Sequence, residues 1–248
     1  MAALALLGGA LWFARSGDEP GEGEEPATAP GAPVPLSEAA ELDEGPRVTS
    51  VPDSRLIDVG DDPRKGSPAA PVRIVEFADF QCPSCGQFFA TTQGALTALY
   101  GDRLEWVFLD FPLTQVHDRA MPAALAAACA HRQGKFWPYH DLLFQNQTRL
   151  LDRALKSYAG DAGLDVDAWE ACYEGGETRA QVEQDVALAN ELGVDATPTF
   201  FVGAERIKGN APVTSFMEII DPLLAETPAA APAAPADPRA APPASGTP

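Results

Sequence analysis

Cys82-Pro83-Ser84-Cys85 is the segment of this 248-residue sequence best equipped for chemistry. Two thiols with two residues between them can close into a small disulfide ring and reopen. That exchange runs through a thiolate, so one sulfur must stay ionised near neutral pH. Pro83 suits the first turn of a helix, where its missing N–H is no loss. Cys82 then sits at the helix tip, where unpaired N–H groups and the helix dipole favour negative charge. This makes Cys82 the exposed nucleophile and Cys85, one turn deeper, the resolving thiol that attacks a mixed disulfide. Ser84 offers a hydroxyl to the thiolate but no positive charge. Two blander uses of the motif compete. Half a zinc site needs a second pair at ligand spacing, and Cys129 and Cys172 are isolated. A permanent structural disulfide would never turn over.

The elements that must carry this pair follow from the surrounding pattern. Val72 to Phe80 (VRIVEFADF) is rich in β-branched and aromatic residues, as a buried strand is. After the cysteines, Phe88, Phe89, Leu96 and Leu99 recur at helical spacing up to a stop at Gly101. Leu104 to Phe111 is a second strand, so the opening is a parallel βαβ unit. Helical patterns follow at Asp118–His131, Lys135–Gln147, Asp152–Ala159, Asp167–Tyr173 and Glu177–Leu192. Trp137, Tyr139 and Phe144 pack this helical part. Strands at Thr199–Val202 and Arg206–Lys208, and a helix at Val213–Leu224, close the chain. The expected fold class is α/β: a mixed sheet flanked by helices, with an all-helical subdomain inserted at about residues 113–192.

The ends read differently. Residues 17–46 hold nine acids, six prolines and no base. Such a segment cannot bury enough surface to offset its ordering entropy. Residues 16–67 are therefore expected as a disordered acidic linker, 68–225 as the folded domain, and 226–248, with seven prolines, as a disordered tail. Ala2 to Ala14 is an apolar run too short for a full span but suited to a signal, or to a signal-anchor cut short, over residues 1–15. The net charge of −19 excludes nucleic acid as a partner, because phosphate is repelled. His117, His131 and His140 lack ligand-like spacing, and His117 and His140 read as packing or capping residues. Phe80 and Gln81 read as a surface facing substrate.

VEFADFQCPSC (Val75–Cys85), HDRAMPAALAAACA, QGKFWPYHDLLF and GVDATPTFFVG (Gly193–Gly203) together resemble the DsbA-like branch of the thioredoxin superfamily, over roughly Val72 to Leu224. The resemblance implies a thioredoxin fold and an extracytoplasmic thiol-disulfide oxidoreductase of the periplasm or cell envelope. It matches Cys82 and Cys85 to the redox pair, and Glu76 to a buried acid that moves a proton at the deeper thiol. It matches Pro198 to a cis-proline facing the pair, with Thr197 before it. Thr197 and Pro198, beside Pro83 and Ser84, then form the substrate-binding surface, and a substrate strand pairs with the Thr197 backbone. Some members bridge two helix cysteines; here Cys129 and Cys172 either bridge or pack as separate buried thiols. Implied partners are unfolded cysteine-containing envelope proteins and a quinone-linked membrane redox protein. No metal or organic cofactor is needed, and a monomer is expected, since isomerases of the superfamily dimerise through an added domain. A histidine commonly stands at the Ser84 position in the family's strong oxidases. Its absence leaves two readings beside the oxidase: a reductase or isomerase fed by a membrane electron donor, and a non-catalytic binding module or chaperone.

Overall fold

The computed structural model of the protein describes residues 49–50 and 52–226. Among them, six strands form one mixed sheet: β1 (Thr49–Ser50), β2 (Arg64–Gly66), β3 (Val72–Ala78), β4 (Leu104–Asp110), β5 (Thr199–Val202) and β6 (Glu205–Lys208), in the order β1-β6-β5-β3-β4-β2. The parallel pair β3 and β4 lies at the centre, joined by α1 (Pro83–Phe88) and α2 (Gly94–Tyr100). β5 runs antiparallel to β3, setting Phe200 opposite Glu76. Between β4 and β5 lie α3 (Ala120–Arg132), α4 (Phe136–Gln145), α5 (Asp152–Asp161), α6 (Val166–Gly175) and α7 (Arg179–Glu191). The last helix is α8 (Val213–Glu226). This is a thioredoxin fold with a helical insertion.

Period-2 alternation assigns the sheet's two faces. Ile74, Trp106 and Phe200 meet Phe88, Leu96, Phe216 and Ile220 on one side. Val75, Phe77, Val107, Leu109 and Phe201 meet Ala189 and Val194 on the other. Each such large side chain, fully buried, contributes roughly 1.5–3 kcal/mol relative to exposure. In α3, Ala123, Ala126, Ala127 and Ala130 are all sealed from solvent. Their small size lets α4, α6 and α7 pack close around it. Trp169 of α6 donates to the Ala126 carbonyl at 3.0 Å, and a disulfide joins Cys129 of α3 to Cys172 of α6.

Three expectations need correction. The end of the segment expected as linker is structured: Ser54–Leu56 forms a short 3-10 turn, Ile57 and Val59 enter the core, and β2 pairs antiparallel with β4. A few apolar side chains and a free strand edge were enough to order it, although its composition is polar. The helix after the cysteines is not a regular α-helix. A π turn at Phe89–Gln93 adds a residue per turn and rotates the downstream face, so Leu99 is 52% exposed while Leu96 and Tyr100 are buried. Phe80 does not face substrate. It lies under the redox turn, stacked on Phe108 at 5.1 Å and against Phe144 at 5.0 Å. The apolar run at 1–15, residues 16–48 of the expected linker and the tail beyond 226 lie outside the described residues.

Candidate active site

Cys82 ends the turn out of β3 and is the N-cap of α1, with extended dihedrals (φ −68°, ψ 121°) and Pro83 in the first turn. Both thiols are free, and Cys82 is 7% exposed while Cys85 is fully buried. The Cys82 pKa is lowered to about 5. The Cys85 thiol, donating to the Cys82 sulfur, is the largest cause; burial opposes it; Thr197 and the N–H groups of Cys85 and Ser84 assist. While protonated, Cys82 Sγ donates to the Thr197 carbonyl at 3.4 Å. The Thr197 hydroxyl is buried without a hydrogen-bond partner. Ionised, the sulfur offers that hydroxyl an acceptor, and this removes the apparent conflict between a carbonyl contact and a lowered pKa. The Cys85 thiol is pushed well above its ordinary value, first by burial and then by the Cys82 sulfur. The pair is thus split into one acidic and one reluctant thiol.

The Thr197–Pro198 bond is cis, bringing the start of β5 against Cys82. Pro83 is exposed and Ser84 half-buried beside it. Glu76 lies on β3 at 2% exposure, with Oε2 accepting from Trp106 Nε1 at 2.8 Å. Burial raises its pKa to about 7, against the Trp106 hydrogen bond and the charge of Lys65. Its charge is felt at Cys85. Lys65, from β2, lies over the rings of Trp137 (4.3 Å) and Trp106 (5.3 Å). Burial lowers its own pKa. Lys65 went unseen in the sequence because its short strand lies in the polar segment.

Asp79 is a second feature that sequence reasoning missed. Its Oδ1 accepts from Gln81 N at 2.7 Å, and its Oδ2 from Leu113 N at 2.9 Å and His117 Nδ1 at 2.7 Å. The carboxylate therefore ties the redox turn to the loop after β4. The Gln81 amide extends the tie, donating to Asp118 Oδ1 at 3.0 Å and accepting from Arg119 N at 2.6 Å. His140 is buried among Phe80, Phe108, Phe136 and Phe144. Burial lowers its pKa to about 4, so it stays neutral. His131 bonds the Asp61 carbonyl at 2.7 Å. Among the described residues, no three His, Cys, Asp or Glu side chains are grouped to hold a metal ion.

A sequence profile for a family described as Thioredoxin matches residues 58–222. The chain belongs to the thioredoxin family. Within it, the branch is DsbA-like: oxidised BdbD from Bacillus subtilis superposes with a TM-score of 0.64 at 25% identity, over 72% of this chain and 98% of that one. A thioredoxin-like oxidoreductase from Silicibacter pomeroyi gives 0.60 at 28% identity, over 67% and 94%. The fold is that of a thiol-disulfide oxidoreductase. Among curated proteins, the Na(+)/H(+) antiporter NhaA 3 of Salinispora tropica is 39% identical over 153 residues, 62% of this chain and 23% of that protein. An NhaA 1 of Salinispora arenicola is 36% identical over 171 residues, 69% of this chain and 26% of that protein. The chain spans about a quarter of the length of these relatives.

Proposed function

We propose that this protein is an extracytoplasmic thiol oxidase, which introduces disulfides into cysteine-containing envelope proteins through Cys82 and Cys85. The lowered pKa of Cys82 carries the direction. At pH 7, moving a thiol pKa from 9 to about 5 stabilises the reduced form by about 3 kcal/mol. For a two-electron couple this makes the disulfide more oxidising by ~60 mV. Backbone N–H groups and the Cys85 thiol thus do, without a cation at Ser84, part of what a histidine there would do.

The reaction starts from the Cys82–Cys85 disulfide. A substrate thiolate attacks Cys82 Sγ, the Cys82–Cys85 bond breaks, and Cys85 leaves as a thiolate. The buried, protonated Glu76 returns a proton to it. A second substrate thiolate then attacks the substrate sulfur of the mixed disulfide. The substrate disulfide forms, and Cys82 leaves as a stabilised thiolate. Two electrons pass from substrate to enzyme, and a membrane redox partner removes them to restore the disulfide. Thr197 and the cis Pro198, with Pro83 and Ser84, form the rim on which the substrate strand lies. The Cys129–Cys172 disulfide supports an oxidising compartment. The apolar run Ala2–Ala14 supports export or attachment at a membrane, with the acidic segment as spacer and a monomer as the working unit.

The reduction potential against a glutathione buffer tests the direction. A value in the oxidising range, about −120 to −180 mV, is expected; one near −270 mV, where thioredoxin lies, would turn the reading to a reductase. Cys82→Ser is expected to abolish oxidation of a reduced model substrate, and Cys85→Ser to trap the mixed disulfide. Oxidation that survives in Cys82→Ser refutes the assignment.

A further inference from the structure

The redox turn is gripped by a side chain from the helical insertion. Gln147, just beyond α4, directs its amide nitrogen at two carbonyls, Phe80 O at 2.9 Å and Cys82 O at 2.8 Å. Both N–H groups of that amide are thereby used. The two carbonyls flank Gln81, in the bend that carries the chain from β3 into α1. Cys82 O is also the first acceptor of α1, taking Gly86 N at 3.1 Å. The Gln147 oxygen occupies the place where a Cβ on residue 86 would be built, far inside van der Waals contact. Gly86 has no positive φ to excuse it, and alanine is the better helix former. The three atoms nearest to that Cβ position all belong to the Gln147 amide.

We infer that Gln147 is a positioning residue for the redox site: its amide fixes the Cys82 carbonyl, and so holds the sulfur against the helix N–H groups, while Gly86 is the space this clamp requires. The physical reason lies in the Cys82 ψ angle. The peptide after Cys82 carries a carbonyl dipole, and ψ decides whether that oxygen faces the insertion or turns toward the sulfur. With two donors on the oxygen, its negative end stays bound away from the thiolate. The N–H groups of Ser84 and Cys85 stay aligned with it. Without the amide, the turn has two fewer restraints, and the Phe80 and Cys82 carbonyls lose their donor from the insertion. The helix-tip stabilisation, which falls off within a turn, is then averaged over poorer geometries. The inference rests on the proposed function only in taking Cys82 as the attacking sulfur.

The test follows alkylation of Cys82 by iodoacetamide against pH in the reduced full-length chain, with the modified peptide mapped by mass. Gln147→Met keeps length and volume but removes both donors. Its midpoint is expected to rise by about one pH unit, a tenfold loss of thiolate below the midpoint. Gly86→Ala displaces the amide and is expected to give the same rise. In a Gln147→Ala background, Gly86→Ala should add nothing further. An unmoved midpoint in Gln147→Met, or a Gly86→Ala rise undiminished in Gln147→Ala, overturns the clamp. Should Gln147→Met not unfold cooperatively, the Gly86/Gln147 cycle decides the same question. A purely structural role would lower stability and leave the midpoint in place. A midpoint that moves in Gln147→Met, together with a wild-type chain that shows no oxidase activity, would sink the proposed function and keep the clamp.

Discussion

At the scale of single residues, the site depends on making two chemically identical thiols unequal. Cys82 is acidic because donors surround it, and Cys85 is not because it has no solvent. Glu76 is held near pH 7 by burial, which suits a group that must both give and take a proton. Replacing Glu76 with Gln should leave the Cys82 alkylation midpoint close to pH 5. It should slow deprotonation of Cys85, and so its attack on the Cys82 sulfur, by at least tenfold at pH 7, read as decay of the mixed disulfide with a model thiol. Equal decay rates in the two proteins would take Glu76 out of the proton path. The types and spacing of these residues were readable in the sequence, since a thiol pair after an apolar strand has few other uses. Their environment was not: neither the Trp106 indole on Glu76 nor Lys65 between two indoles leaves a trace in spacing, because each comes from a different strand.

At the scale of elements, the central strands and the helical insertion were legible because long apolar runs and alanine-rich helices leave little choice. What escaped were short pieces held by tertiary contacts. β2 has three residues, only one of them half-buried, and forms because β4 offers an edge. No local signal announces the π turn in the first helix. The disulfide between α3 and α6 spans 43 residues and staples the insertion. Removing it as Cys129→Ala/Cys172→Ala should lower stability by about 2–4 kcal/mol. Denaturant titration without reductant, in a Cys82→Ser/Cys85→Ser background, would show this as a lower midpoint. A midpoint that stays put would mean that helix packing alone sustains the insertion.

For the whole molecule, three buried carboxyls couple the N-terminal segment to the rest of the fold. Asp185 of α7 accepts from Asp110 N of β4 at 2.9 Å and shares a hydrogen bond with Asp62, which also accepts from Gln181 at 3.0 Å. Burial, then the Asp62 charge, raises Asp185 from an ordinary 3.8 to about 8; Asp62 and Asp110 are raised in the same direction, chiefly by burial. The folded protein therefore keeps protons that the unfolded chain releases above about pH 4. Stability from these groups is full below that pH and drains as pH climbs toward 8. His140 acts oppositely: its folded pKa of about 4 gives stability that is present above 6.5 and lost on acidification. The difference between wild type and Asp185→Asn isolates the carboxyls. The variant's thermal midpoint should fall less between pH 4 and 8, and parallel curves would refute the coupling.

Because β2 lies along the outer side of β4, the fold's true beginning precedes the boundary that composition suggests. A chain shortened to start at residue 68 would bare the hydrogen-bonding groups of a fully buried central strand and hand them to the next molecule. Such a fragment should elute from size exclusion as oligomers, whereas one starting at residue 49, which keeps β1 on β6, should not. Trimming what looks like a tether would thus convert a discrete redox domain into a sticky one, and would carry off Lys65 with it.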